Sequence, residues 1–199
     1  LTKLFNVARF ASQFDVPDDL ESVPDDLAPE DRWLLAEFQQ TMHTVKEAWS
    51  NLDIYTATQA LKTFGTGLLP SHYLEMVKSR LYDDDGAAAW TLHRTVRDFM
   101  AAFSPVCPFF THHISSTVYG SSAVDVDAFP APALGEVDHG TEEGARLCAL
   151  SHDLQEFNGQ TWAAKKEQGI SLNQPIEGVA VPEELAEFEA TLTRMHQLS

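Results

Sequence analysis

With 199 residues, 44% of them hydrophobic and 10% aromatic, the chain can bury one sizeable core and is too rich in aromatics to be a disordered polyelectrolyte. Its net charge is −17, from 30 acidic against 13 basic residues. The acids are scattered rather than gathered in one tail, which predicts adaptation to a salt-rich cytoplasm where salt screens their repulsion. No run approaches the roughly 20 apolar residues of a membrane span, and no basic-then-apolar signal opens the chain. The only cysteines, Cys107 and Cys148, are too few to staple a domain of this size, so a reducing, cytoplasmic setting is expected.

The chain opens on Leu1, already inside a helical pattern of Leu1, Leu4, Phe5, Ala8 and Ala11, and is read as a segment of a longer protein. Residues 15–29 hold three prolines among acids and read as a surface loop. A second helix starts at Pro29-Glu30-Asp31, where proline and acids suit the first turn, and carries the stripe Leu34, Phe38, Met42, Val45, Trp49. Trp33 opens this stripe and reads as core, with Arg32 pairing a nearby acid. From Asp53 to Tyr82 the pattern stays helical, with a kink or short break expected at Gly65, Gly67 and Pro70.

Ala89, Leu92, Val96, Phe99 and Phe103 mark a fourth helix, and Pro108 opens a fifth that runs to Gly120. Residues 120–140 read as a linker. A sixth helix is predicted over 141–168, one short strand over Ile176–Val181, and a last helix after Pro182. Short loops between helices predict an all-α antiparallel bundle over 1–134, followed by a small, mostly helical appendage over 135–199.

Catalytic and metal-binding constellations are missing. The histidines form no H-E-x-x-H pair, and the adjacent His112 and His113 point about 100° apart on a helix, so no metal site is expected. Gly65-Thr66-Gly67 reads as a packing or hinge feature, not a phosphate loop. Met76-Val77-Lys78-Ser79-Arg80 is an echo of a nucleotide-binding lysine-serine loop, but it lies in a helical stripe with Val77 and Leu81 facing inward.

Four segments in order carry a resemblance. Lys3-Leu4-Phe5-Asn6-Val7-Ala8-Arg9-Phe10 resembles the K-L-W-N-x-x-R-F that begins the anticodon-binding bundle of the valyl- and isoleucyl-tRNA synthetases of class I. Asp31-Arg32-Trp33-Leu34-Leu35 is similar to that family's D-R-W-[IL]-L, and Tyr73-Leu74-Glu75 with Lys78-Ser79-Arg80-Leu81-Tyr82 to its W-Y-[IL]-E…K-x-R-L-Y. Phe103-Ser104-Pro105…Pro108-Phe109-Phe110-Thr111 is similar to its H-P-x-x-P-F-[IL]-T, and Phe129-Pro130 falls where the family has Trp-Pro. Lys165 to Asn173 resembles the K-x-E-x-G-[LI]-S-L-N of archaeal-type valyl enzymes, which favours valyl over isoleucyl. The sequence departs from the family pattern at Leu69-Pro70-Ser71-His72-Tyr73 and at Thr111-His112-His113-Ile114-Ser115.

The resemblance implies a tRNA partner, valine-specific, and attachment to the rest of a synthetase chain, with no membrane or DNA partner. ATP and magnesium belong to a catalytic part whose signatures are absent here, so the segment itself is expected to hold no cofactor and to be non-catalytic. Anticodon bundles read splayed bases by stacking and edge hydrogen bonds. The resemblance puts Lys3, Asn6, Arg9 and Phe10 in that role; positions 3, 6 and 10 share a helix face, with Arg9 beside it. Phe10 alone is as well read as core. Lys165 and Lys166 are the second candidates, for contact with the tRNA backbone. The alternatives are an isoleucyl counterpart and a helical protein–protein module that has lost RNA binding.

The charge yields a first prediction. The unfolding midpoint should rise markedly between about 0.01 M and 1 M potassium chloride, as the Debye length shrinks from roughly 30 to 3 Å. Thermal melts across that series check it, and a flat midpoint would argue against salt adaptation.

Overall fold

A computed structural model describes residues 1–121 and 134–199, and Phe129-Pro130 lies outside the described residues. The architecture is all-α, as expected from the periodicity. In chain order the helices are α1 (Thr2–Ala11), α2 (Pro29–Ser50), α3 (Ile54–Thr63), a π-helical segment (Phe64–Tyr73), α4 (Leu74–Tyr82), α5 (Gly86–Phe103) and α6 (Pro108–Tyr119). Then follow α7 (Glu142–Ala149), α8 (Ser151–Glu167) and α9 (Glu189–His196). One apolar core is continuous from Leu4 of α1 to Leu192 of α9, and α7 packs directly on α2.

Local chemistry sets the helix ends. Pro29 occupies the first turn of α2, and the Asp31 carboxylate accepts from the Ala28 backbone N–H at 3.2 Å. Asp53 caps α3 through Thr56 N, and Asp85 caps α5 through Ala88 N, each at 3.0 Å. Gly120 closes α6 at φ +65°, a left-handed position that glycine takes without steric cost.

Where a kink or short break is expected at Gly65, Gly67 and Pro70, the α-helix gives way between α3 and α4 to wider π-helical turns without leaving helical geometry. Pro70 brings no N–H, so an α-helix here would leave the Thr66 carbonyl, four residues back, without a donor, whereas in i→i+5 turns the Ser71 N–H falls to it. Lys3 Nζ reaches that carbonyl from α1 at 3.1 Å. Gly65 is a packing glycine: a Cβ there would lie 2.5 Å from Phe99 Cζ and 2.8 Å from Leu4 Cδ2. Its bare backbone lets α1 and α5 approach the π-helical segment.

Buried ionic and polar contacts join the helices. Arg80 of α4 donates to Glu30 Oε1 at 2.9 Å, to Asp31 Oδ2 at 2.8 Å and to Asp85 Oδ2 at 2.8 Å. Tyr73 Oη donates to the other Asp31 oxygen at 2.8 Å. Burial works against the Arg80 charge, but Asp31, Asp85 and Glu30 together hold its pKa above the usual value. Burial in turn raises the Asp31 carboxyl, against the pull of Arg80. A second buried guanidinium, Arg94, binds Asp98 at 2.7 Å and the Leu20 carbonyl, pinning the proline-rich loop to α5. Arg32 pairs with Glu143 at 2.7 Å, and Trp33 is buried with its Nε1–H on Ser151 Oγ at 2.7 Å.

Two expectations in the C-terminal part are corrected. The single helix over 141–168 is two helices that meet at Leu150, because Ser151 is anchored to α2 through Trp33 and Glu37. The strand over Ile176–Val181 reduces to one parallel bridge, Ile176 to Leu198. Gly178, at φ +76°, turns the chain out of extended geometry before a ladder can form.

At the same end His196 is wholly buried, and its Nε2 donates to Asn158 Oδ1 at 2.8 Å. Burial, then the charge of Lys165, pushes its pKa down to about 4 from the ordinary 6.5.

Two predictions follow from these buried groups. Arg80→Met leaves Glu30 and Asp31 buried without their cation and should cost about 3–5 kcal/mol in urea unfolding. Adding Glu30→Gln and Asp31→Asn should recover most of that loss; if it does not, the cost is one of packing.

For His196, a depressed folded-state pKa means that the unfolded chain binds the proton more readily between pH 6.5 and about 4. Stability from this group is therefore complete above pH 6.5 and lost as the pH falls through that window, by up to about 3 kcal/mol. His196→Gln, which keeps a donor toward Asn158, should flatten that part of the pH–stability curve. An unchanged slope would assign the effect to other groups.

Candidate nucleic-acid interface

α1 buries Leu4, Val7, Ala8 and Ala11, so the flank that carries Lys3, Asn6 and Phe10 lies along the edge of its contact with the bundle. That flank faces the π-helical segment and α4 across a cleft of about 270 Å³. Lys3, Asn6, Val7 and Phe10 form one wall, and Pro70, Ser71, Leu74, Glu75 and Lys78 the other.

The cleft has three chemical parts. Lys3 and Lys78 supply positive charge from opposite walls, and both are exposed. Asn6, Ser71 and Glu75 offer amide, hydroxyl and carboxylate groups of the kind that pair with base edges. Phe10 is half-buried and belongs to an aromatic cluster. Its ring centroid lies 5.1 Å from Phe14 and 6.4 Å from Tyr82, and Phe14 and Tyr82 are 5.6 Å apart. Tyr82 is 59% exposed, so an aromatic shelf extends from the cleft to the surface.

Three of the four residues put forward on α1 therefore meet in one place, and Phe10 is neither pure core nor a free ring. Arg9 is exposed but does not line the cleft. Lys165 is corrected: it is wholly buried, its Nζ donating to the Leu172 and Gln174 carbonyls, each at 2.7 Å, and burial lowers its pKa. It clamps the turn after α8 and cannot reach an RNA backbone. Lys166, its neighbour, is exposed at the end of α8.

The opposite wall went unassigned in the sequence reading. Its signal is the spacing Leu74, Lys78, Tyr82, which sets these three on one face of α4. Arg194 of α9 adds a further cation beside this helix through Ser79 Oγ at 3.4 Å. His152, Asp153 and Glu156 at the start of α8 bring ligand-type atoms within 4.8 Å of one another. All three are exposed.

The distribution of the other cations sharpens the picture. Arg32, Arg80, Arg94, Arg97 and Arg146 are each committed to carboxylates. Among the described residues, Lys3, Arg9 and Lys78 make no ion pair, so the positive charge left for a partner includes the two cleft lysines.

The chain is 33% identical over its whole length to the valine–tRNA ligase of Pyrobaculum aerophilum, covering 24% of that protein. It is 33% identical over 90% of its length to the valine–tRNA ligase of Aeropyrum pernix, covering 22% of it. For the Saccharolobus solfataricus valine–tRNA ligase the figures are 30% identity over 88% of the chain and 20% of the relative. The chain thus spans a quarter or less of the length of these curated relatives. The family profile of the anticodon-binding domain of tRNA ligase matches residues 31–181, from the Arg80 ion-pair knot of α2 and α4 to the approach to α9, and this chain belongs to that family.

Proposed function

We propose that this chain is the anticodon-binding part of a valine–tRNA ligase, working in the cytoplasm. It holds the anticodon of a valine tRNA while a catalytic part of the same enzyme joins valine to that tRNA with ATP and magnesium. The observation that carries this reading is the cleft between α1 and α4. In a chain of net charge −17 it sets two unpaired lysines, three base-edge partners and an aromatic shelf around one opening.

A single unstacked base fits such a cleft by stacking against Phe10, with Asn6, Ser71 and Glu75 reading its edge and Lys3 and Lys78 holding the flanking phosphates. Glu75 accepts hydrogen bonds only, so it favours a base that presents an amino or ring N–H. The same carboxylate repels phosphate, which steers the backbone toward the two lysines. The segment brings no nucleotide-binding signature of its own, and adenylation is assigned to the catalytic part.

Substitutions in the cleft should separate these roles in the complete enzyme. Lys78→Ala should weaken all tRNAs nearly alike, by about three- to ten-fold, and lower the salt slope of binding by about one. Phe10→Ala should cost about 1–3 kcal/mol of binding through lost stacking, with thermal melts run beside it because the ring also packs on Phe14. Glu75→Gln should change the preference among anticodon variants more than overall affinity. Filter binding of valine tRNA and anticodon mutants over a salt series reads all three. If folded variants keep wild-type affinity and anticodon preference, the cleft is not the reader.

A further inference from the structure

The π-helical segment builds one wall of the cleft through Pro70 and Ser71, while the next residue, His72, lies outside the lining and turns toward the C-terminal helices. Asn158, wholly buried on α8, donates from Nδ2 to His72 Nδ1 at 3.2 Å and accepts from His196 Nε2 of α9 at 2.8 Å. The bond to His72 needs that ring neutral with its proton on Nε2, while His196 donates from Nε2 and is kept neutral by its burial. Among the described residues the buried Nδ1 of His196 has no hydrogen-bond partner. The Trp162 ring lies 5.6 Å from that of His72 and 5.7 Å from that of His196, filling the space beside the relay.

On its other side the same segment is tied to α1 by Lys3 on the Thr66 carbonyl. A run of π turns is an uncommon backbone state that persists where its surroundings hold it. Here the holding groups come from both ends of the chain.

We propose that His72 and Asn158 are positioning residues for the cleft: the His72–Asn158–His196 relay fixes the π-helical wall at the spacing that admits a nucleobase against Phe10. This rests on the reading of the cleft as the RNA site. It goes further in giving α8 and α9 a part in RNA binding, although none of their side chains lines the opening. Removing the His72 acceptor frees the wall without touching any residue that meets the RNA.

The test uses the complete protein with His72→Leu, which removes the acceptor, and His72→Asn, whose Oδ1 stands near the lost Nδ1. His72 is only half-buried, so both variants should fold. Hydrogen exchange without RNA comes first. Peptides covering residues 67–74 should exchange about ten-fold faster in His72→Leu, with α2 and α5 unchanged, and near the wild-type rate in His72→Asn.

Binding of a hairpin RNA with a valine anticodon comes second. It should weaken about three- to ten-fold in His72→Leu and recover in His72→Asn. The losses of His72→Leu and Lys78→Ala should combine to less than their product, because both act through one wall. Equal exchange in all three proteins overturns the proposal, as does a fully multiplicative double variant. If exchange changes as expected but the wild-type protein does not bind the hairpin, the relay stands as the support of the wall and the RNA reading of the cleft falls.

Discussion

A guanidinium placed among α2, α4 and α5 stays charged and is costly to bury unless carboxylates surround it, and Arg80 is surrounded by Glu30, Asp31 and Asp85. Each of these acids also has a local task or place: Asp31 accepts from the start of α2, Asp85 caps α5, and Glu30 lies in the first turn of α2. The knot thus fixes two helix starts against α4, and Tyr73 adds the end of the π-helical segment through Asp31. Lys78 and Tyr82 face outward, with Leu74 buried at the base of the same face, because Val77, Arg80 and Leu81 of the same helix face inward. The far wall of the cleft is the outer side of the helix whose inner side holds the knot.

For the proposed RNA partner, the strongly acidic composition raises the question of how such a chain meets a polyanion. Cations in the structure are apportioned between two uses. Most arginines lie in ion pairs that join elements, such as Arg94 and Arg97 with the acidic loop, or Arg146 with Glu143 and Glu187. Arginine suits this work because its planar fork satisfies several acceptors at once. Two lysines, Lys3 and Lys78, are left at the cleft. Net charge describes the whole surface, whereas binding responds to the local field of the opening.

The π-helical segment shows how a departure from a regular helix is supported. Gly65 allows the close approach of Phe99 and Leu4, Pro70 cannot serve as an α-helical donor, and Lys3 donates to the Thr66 carbonyl. Lys3 thus has a structural contact as well as a place in the cleft, so its removal disturbs the wall as well as the charge. On the other flank the neutral histidines 72 and 196 share Asn158, and the C-terminal helices become part of the same mechanical unit.

Most of the helices of the bundle and their order were legible in the sequence because they follow from local terms: the stripe of α2, Pro29 at its start, and Gly120 at the end of α6. The shared flank of Lys3, Asn6 and Phe10 was legible for the same reason, being a matter of helical spacing. What lies across from that flank was not, because Pro70 and Lys78 reach it only through the turns of the π-helical segment and the Arg80 knot. Lys165 and Lys166 make the same point: adjacent and identical in sequence, one closes a turn inside the protein and the other faces water. Spacing along a helix sets which residues share a face, but only packing against distant segments decides which face is buried and which lines an opening.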